Sequence, residues 1–178
     1  MIYIVCALKS EAQALVENYK LHKTKLLNYT MFSNDNMRIL ISGMGVDASR
    51  LATQTFINQF DITDDDCYIN LGVCAGSKKY NIGDIVEIGT IIYQDIHYCF
   101  SQNKEMIGCF DLPQTDPSTN LADMESYGFY DAVIHNPAIK KFLIIKIISD
   151  HFEPATLTKD GVKALIYNQR TALDKYFF

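Results

Sequence analysis

Four carboxylates stand where they could do chemistry. The stretch LADMESYGFYDA, residues 121–132, sets Asp123 and Glu125 on either side of Met124 and then runs into apolar and aromatic positions. Glu11 comes soon after the apolar run MIYIVCAL, and Asp150 ends KFLIIKIISD, a segment that is nearly all apolar. A carboxylate is costly to bury without a partner, so acids at the edges of core-forming segments need an explanation. Two carboxylates in contrasting environments can divide into a general acid and a general base. A third, beside a methionine, suits a ligand rich in hydroxyl groups. Each also has a plainer reading. An acid in the first turn of a helix is favoured by the macrodipole, which would account for Glu11, Asp123 and Glu125 one at a time, and Asp150 could cap a turn.

The segments around these acids predict how they are positioned. MIYIVCAL is apolar and rich in β-branched and aromatic residues, as expected of a strand covered on both faces. Ser10 is placed to cap a helix over EAQALVENYKL. MRILISGMG predicts a second buried strand ending in a turn with Gly43 and Gly45, and VDASRLATQTFINQF a helix. CYINLGVCAG predicts a third strand, running into a small-residue turn around Val73 and Cys74. After the NIGD turn, DIVEIGTIIYQDIHY reads as one strand. Residues 101–120, with Asn103, Pro113, Pro117 and Asn120, predict a loop. DMESYGFYDAVIH predicts a helix weakened by Gly128 and ended by Pro137. KFLIIKIISD is a strand, and Thr158 caps a closing helix.

Strands alternating with helices predict an α/β fold: one domain over residues 1–178, a three-layer sandwich around a central, mostly parallel mixed sheet. Such sheets bind ligands at the carboxyl ends of their strands. Glu11, the Gly43–Gly45 turn, the Gly72–Gly76 turn and Asp150 all fall there.

Composition narrows the function. The chain has 178 residues, 48% hydrophobic and 21% charged, with a net charge of -5. A nucleic-acid binder would normally show a basic surface, whereas here the basic residues are scattered and the arginines are Arg38, Arg50 and Arg170. Five cysteines without CxxC spacing form neither a disulfide framework nor a zinc site, so reduced thiols in the cytoplasm are expected. The four histidines share no ligand spacing, and neither a metal nor another cofactor is expected. Cys74 has no histidine partner legible in the sequence and reads as a buried structural thiol. A lone Gly-x-Gly is a weak phosphate signal, Lys78 and Lys79 read as solvated, and Asp64 to Asp66 as an exposed turn. No apolar run reaches the length of a membrane span and no leader is evident, so a protein with no membrane partner is expected.

Taken in order, CALKSEAQAL, ISGMGVDAS, INLGVCAG, NIGDIVEIG, DMES and IISD resemble the nucleoside phosphorylase and nucleosidase superfamily. The resemblance is closest to its hydrolytic branch, the methylthioadenosine/S-adenosylhomocysteine nucleosidases and futalosine hydrolases, in a shortened form. It implies a phosphorylase/hydrolase-like fold and a purine nucleosidase that cleaves the N-glycosidic bond of an adenosine- or futalosine-like nucleoside with water. The alternatives are a phosphate-dependent purine nucleoside phosphorylase and a protein that binds a nucleoside without turning it over. By the same resemblance, Glu11 matches the water-activating glutamate and Asp150 the acid directed at purine N7. Glu125 matches the acceptor of the ribose hydroxyls, with Met124 against the sugar. Gly43, Gly45, Val73, Cys74 and Ser149 fall in the base or nucleophile pocket.

Relatives are longer. The shortage falls between YQDIHY and DMES, where they carry an additional helix and strand and the aromatic residue that stacks on the base. Phe100 or Phe110 is then the candidate stacking face. Val73 stands where many relatives have Ser or Thr, and no arginine matches a phosphate ligand, so water is the expected nucleophile. Relatives often close the site with a neighbouring subunit, which implies a homodimer or larger homo-oligomer.

Overall fold

The computed structural model describes residues 1–116 and 118–178; Pro117, one of the residues that mark the 101–120 stretch, lies outside them. In chain order the elements are β1 (Ile2–Cys6), α1 (Lys9–Asn18), β2 (His22–Leu26), β3 (Tyr29–Ser33) and β4 (Met37–Ile41). Then come α2 (Val46–Gln59), β5 (Cys67–Gly76), β6 (Ile85–Tyr93), β7 (Ile96–Cys99) and β8 (Glu105–Cys109). The chain finishes with β9 (Leu121–Asp123), α3 (Ser126–Ile134), β10 (Lys141–Asp150) and α4 (Lys159–Leu173).

The runs that read as continuously apolar make the middle of the sheet, where both faces are covered. β4, β1, β5 and β10 lie side by side and parallel. β10 then pairs antiparallel with β6, β6 parallel with β8, β8 parallel with β9, and β9 antiparallel with β5. This circuit of pairings returns to β5, so one end of the mixed sheet is closed into a small barrel and the other stays open through β3 and β2.

Alternation along the strands feeds two cores. Tyr3, Val5 and Ile148 face α2 and α3, packing with Phe56 and Phe129. Ile4, Leu71 and Ile147 face α1 and α4, packing with Leu15 and Ile166. Three layers result, as the alternation of strands and helices implied. Among the described residues no helix is long and apolar enough to cross a membrane.

Three local expectations are corrected. Ser10 is not the helix cap: α1 begins at Lys9 with Leu8 as its cap residue. DIVEIGTIIYQDIHY is a hairpin, β6 and β7, turning at Gln94 and Asp95 with φ of 50° and 62°. Neither residue is the glycine that announces such a turn. The 101–120 stretch is not all loop, because β8 runs through it. The hairpin β2–β3 gave no apolar signal, since HKTKL is an exposed edge strand apart from Leu26.

Gly128 weakens a helix by propensity, but its place in the fold explains it. A Cβ there would lie 2.0 Å from the carbonyl oxygen of Val46 and 3.0 Å from the backbone nitrogen of Arg50. α3 therefore crosses α2 at backbone contact. Gly128→Ala would gain at most about 1 kcal/mol of helix propensity and is expected instead to lose about 3 kcal/mol by overpacking. Urea denaturation reads the difference; a stabilised variant would contradict this packing.

Candidate active site

The acids converge. Glu11, Asp123, Glu125 and Asp150 line one cavity of about 320 Å³ at the carboxyl ends of the parallel strands, together with Met124, Val73, Cys74 and Ser149. That volume lies within the range of small-molecule sites.

Glu11 is placed by the start of α1. Its Oε2 accepts the backbone N–H of Leu8 at 2.8 Å, the return half of a capping box. Its Oε1 accepts the N–H of Val73 at 3.0 Å. The helix-start reading and the site reading of Glu11 are thus both realised by the same carboxylate. Gly72 makes room for it: a Cβ there would sit 2.8 Å from Oε1. Burial raises the affinity of Glu11 for a proton, against the two backbone donors and the charge of Lys146, which lower it.

Asp150 ends β10 after a bulge. Ile148 is opposite Cys74, but Asp150, not Ser149, is opposite Ala75. Strict alternation would send Ser149 and Asp150 to opposite faces; the extra residue re-aims the strand end so that both line the cavity. Ser149 Oγ donates to Asp150 Oδ2 at 2.7 Å, and the N–H of Glu153 donates to Oδ1 at 2.7 Å.

Asp123 and Glu125 divide the work suggested by their spacing. Asp123 secures the start of α3, accepting from the N–H of Ser126 at 2.9 Å and its hydroxyl at 2.7 Å. Glu125 instead reaches across to α2, where Oε1 accepts the N–H of Gly45 at 3.0 Å. Gly45 has φ of 101°, which only glycine adopts freely. Gly43 and Gly45 do not line the cavity themselves; Met44, between them, does. Burial pushes the Glu125 carboxyl up to about 7, opposed by Lys146 and reinforced by Asp123 and Glu11. Burial also pushes the Cys74 thiol up, so it stays protonated and is a poor nucleophile.

The raised Glu125 has a stability consequence. A carboxyl held more tightly protonated when folded contributes stability below its unfolded value, and that contribution is lost as pH rises through about 7. Glu125→Gln is therefore expected to raise the melting temperature relative to wild type at pH 8, with the gap closing by about pH 5. A gap that is independent of pH would show that Glu125 is not held this way.

One buried charge beside the cavity escaped the sequence reading. Lys146, in the middle of β10, is fully buried with its Nζ 2.7 Å from Asp123 Oδ2. Its signal was present: a single lysine in a strand read as covered on both faces, with several unpaired acids elsewhere. The stacking candidates are corrected. Neither Phe100 nor Phe110 lines the cavity. Phe100 packs on Tyr130 and Phe142, with centroids 5.1 Å and 5.3 Å away, and Phe110 covers Gly108. Leu112, Pro113 and Gln114, from the segment between β8 and β9, line that part of the site instead.

Comparison with solved structures places this arrangement. The chain superimposes on a 5′-methylthioadenosine/S-adenosylhomocysteine nucleosidase from Neisseria meningitidis in complex with methylthio-immucillin-A, with TM-score 0.76 and 16% identity, covering 98% of each chain. It also superimposes on the Helicobacter pylori nucleosidase, seen as an Asp-to-Asn variant with 5′-methylthioadenosine in the active site, with TM-score 0.79 and 14% identity. That match covers 98% of this chain and 96% of the other. The fold is that of the methylthioadenosine/S-adenosylhomocysteine nucleosidases. A nucleosidase from Colwellia psychrerythraea in complex with adenine matches at TM-score 0.71 and 20% identity, over 97% and 95% of the two chains. No family model matches the sequence, and no curated protein matches it. The nucleosidase fold is thus carried by a sequence only 14–20% identical to these proteins. The superposition runs nearly end to end in both chains.

Proposed function

We propose that the protein is a purine nucleosidase that hydrolyses the N-glycosidic bond of an adenosine- or futalosine-like nucleoside. The observation that carries this reading is the convergence of Glu11, Glu125 and Asp150 on one cavity in a nucleosidase fold. Glycosidic cleavage passes through an oxocarbenium-like sugar cation. Such a reaction needs a base for water, an acid for the departing base and acceptors for the ribose hydroxyls. In this reading Glu11 activates water, Asp150 donates a proton toward purine N7, and ionised Glu125 accepts from the hydroxyls, with Met124 against the sugar. Val73, Cys74 and Ser149 shape the pocket, and residues 1–178 act as one unit.

The placement of the arginines favours water over phosphate. Arg38 lies over the Phe60 ring at 4.3 Å, and Arg50 is paired to Asp131 and Asp47, each at 2.7 Å. Neither lines the cavity, whose walls carry four acids against one cation, Lys159, and so disfavour an anion.

We further infer a homodimer or larger homo-oligomer in the cytoplasm. Met44 and Leu112 line the cavity yet are 64% and 71% exposed, an apolar rim that a second subunit would cover. The cysteines are all free, which suits a reducing compartment.

A panel of purine nucleosides including 5′-methylthioadenosine, assayed for free base with and without phosphate, tests the activity. Free base and free sugar without phosphate are the expected products. Sugar phosphate would make the protein a phosphorylase, and binding without release would make it a nucleoside-binding protein.

A further inference from the structure

Lys146 is the one buried cation among the described residues. It stands between Ile145 and Ile147 in the sequence of β10, and its ammonium lies where β9, α3, α1 and β5 meet. Asp123 from β9 holds it at 2.7 Å, with both side chains 1% exposed. Glu125 follows Asp123 at the entry to α3, and Glu11 projects from α1. Gly72 of β5 opens the space between them: a Cβ there would be 3.6 Å from Lys146 Nζ and 2.8 Å from Glu11 Oε1. The remaining titratable neighbours are the thiols of Cys6 on β1, Cys74 on β5 and Cys109 on β8, all held protonated by burial; toward β6 the backbone partner is Val86.

Without a cation, this geometry would defeat the chemistry assigned to it. Two buried glutamates disfavour each other's ionised form, as do all buried like charges. A protonated Glu11 cannot take a proton from water, and a protonated Glu125 loses acceptor capacity for hydroxyl groups. The ammonium meets the opposite condition: burial opposes its charge, but Asp123, Glu125 and Glu11 together outweigh burial and hold it protonated.

We propose that Lys146 is a positioning residue: locked on Asp123, it is the shared counter-ion that keeps Glu11 and Glu125 ionisable and in place as the reacting carboxylates. It touches neither water nor sugar in this scheme. Asp123 completes the device, because the same carboxylate that holds Lys146 also fixes the first turn of α3 and hence the direction of Glu125. The proposal rests on the nucleosidase reading for the purpose of the carboxylates, but not for their titration.

The test combines kinetics with a readout that needs no turnover. Protein labelled with carboxyl-¹³C glutamate is titrated by NMR as wild type, Lys146→Met and Lys146→Arg, with Glu11→Gln and Glu125→Gln assigning the signals. In Lys146→Met the Glu125 midpoint is expected to rise by about one unit or more, a tenfold loss of ionised form at a fixed pH below it. The acid limb of kcat/KM should move with it, and kcat should fall by more than KM rises. Lys146→Arg, which keeps the charge, should restore both profiles toward wild type.

A folded Lys146→Met with the wild-type Glu125 midpoint overturns the proposal even if nucleosidase activity is found. If no nucleoside is cleaved, the nucleosidase reading fails while the NMR titration still decides the role of Lys146. Should Lys146→Met not fold, Lys146→Gln keeps a donor toward Asp123 and carries the same expectation. Wild-type protein provides the last arm: the Lys146 Cε resonance should report an ammonium past about pH 10, the ordinary lysine range. Titration well below that range overturns the proposal.

Discussion

Replacing Asp150 by asparagine is expected to slow base release by about 10²–10⁴-fold while nucleoside binding survives, the range typical of losing a general acid. The substitution preserves shape but removes the transferable proton. Ser149 Oγ and the N–H of Glu153 both donate to the Asp150 carboxylate, one to each oxygen. An amide offers one acceptor oxygen and one NH₂: the oxygen can keep the Glu153 N–H, and the NH₂ can donate to Ser149 Oγ, whose hydroxyl then turns to the Cys74 carbonyl at 3.1 Å, so the strand end keeps its tethers. Because the proton is needed only as the bond breaks, the loss should fall on kcat more than on KM. Single-turnover base release with separate binding measurements checks this. A variant within tenfold of wild type would remove Asp150 as the acid.

Glu11→Gln is expected to cost a comparable factor, about 10²–10⁴ in kcat, for the complementary reason. Glutamine cannot accept the proton of an attacking water. The carboxylate also accepts two backbone N–H groups, from Leu8 and Val73, on its two oxygens. Its replacement can satisfy only one through oxygen, so either the cap of α1 or the tie to the Val73 turn is weakened. Thermal melts distinguish the two contributions. Chemistry lost through the missing base leaves the melting temperature near wild type or raises it, since removing a buried, raised carboxyl relieves a penalty above its unfolded value. If activity and stability fell in proportion, Glu11 would be a structural cap and the base would have to be sought elsewhere.

These two expectations differ from those for Glu125 and Gly128 in what they ask of the fold. In the proposed reaction Asp150 acts at the end of β10 and Glu11 in the first turn of α1, where a small error of aim already costs rate. Gly128 acts at a distance, because the α2–α3 crossing it permits brings Gly45 within reach of Glu125. A variant at Gly128 that still folds should therefore lose ribose-side function before it loses the acid and base.

Much of this was legible in the chain. The apolar runs 1–8, 37–41, 67–76 and 141–150 identify central strands because burial on both faces leaves no room for alternation, and function clusters where such runs stop. Glu11, Glu125 and Asp150 could thus be picked out by type and position, and ordered motifs tied them together. What stayed hidden depended on partners distant in sequence. The edge hairpin β2–β3 buries only Leu26, Met31 and Phe32, too few inward positions to imprint a pattern on its composition. β8 is held by pairing with β6 and β9 rather than by its own pattern. The acids of DMES could not be divided between holding the helix start and facing the cavity, since that division depends on which backbone N–H groups lie across from them. Lys146 is the sharpest case. A lone lysine in an apolar strand is equally compatible with a snorkelling edge residue and a buried counter-ion. Only the tertiary structure, by closing β9 and the start of α3 over β10, supplies the carboxylate that makes its burial tolerable. Sequence alone thus determined where the carboxylates stand along the sheet; folding decided which charges compensate which, because a buried charge takes its character from neighbours that the chain brings in from far away.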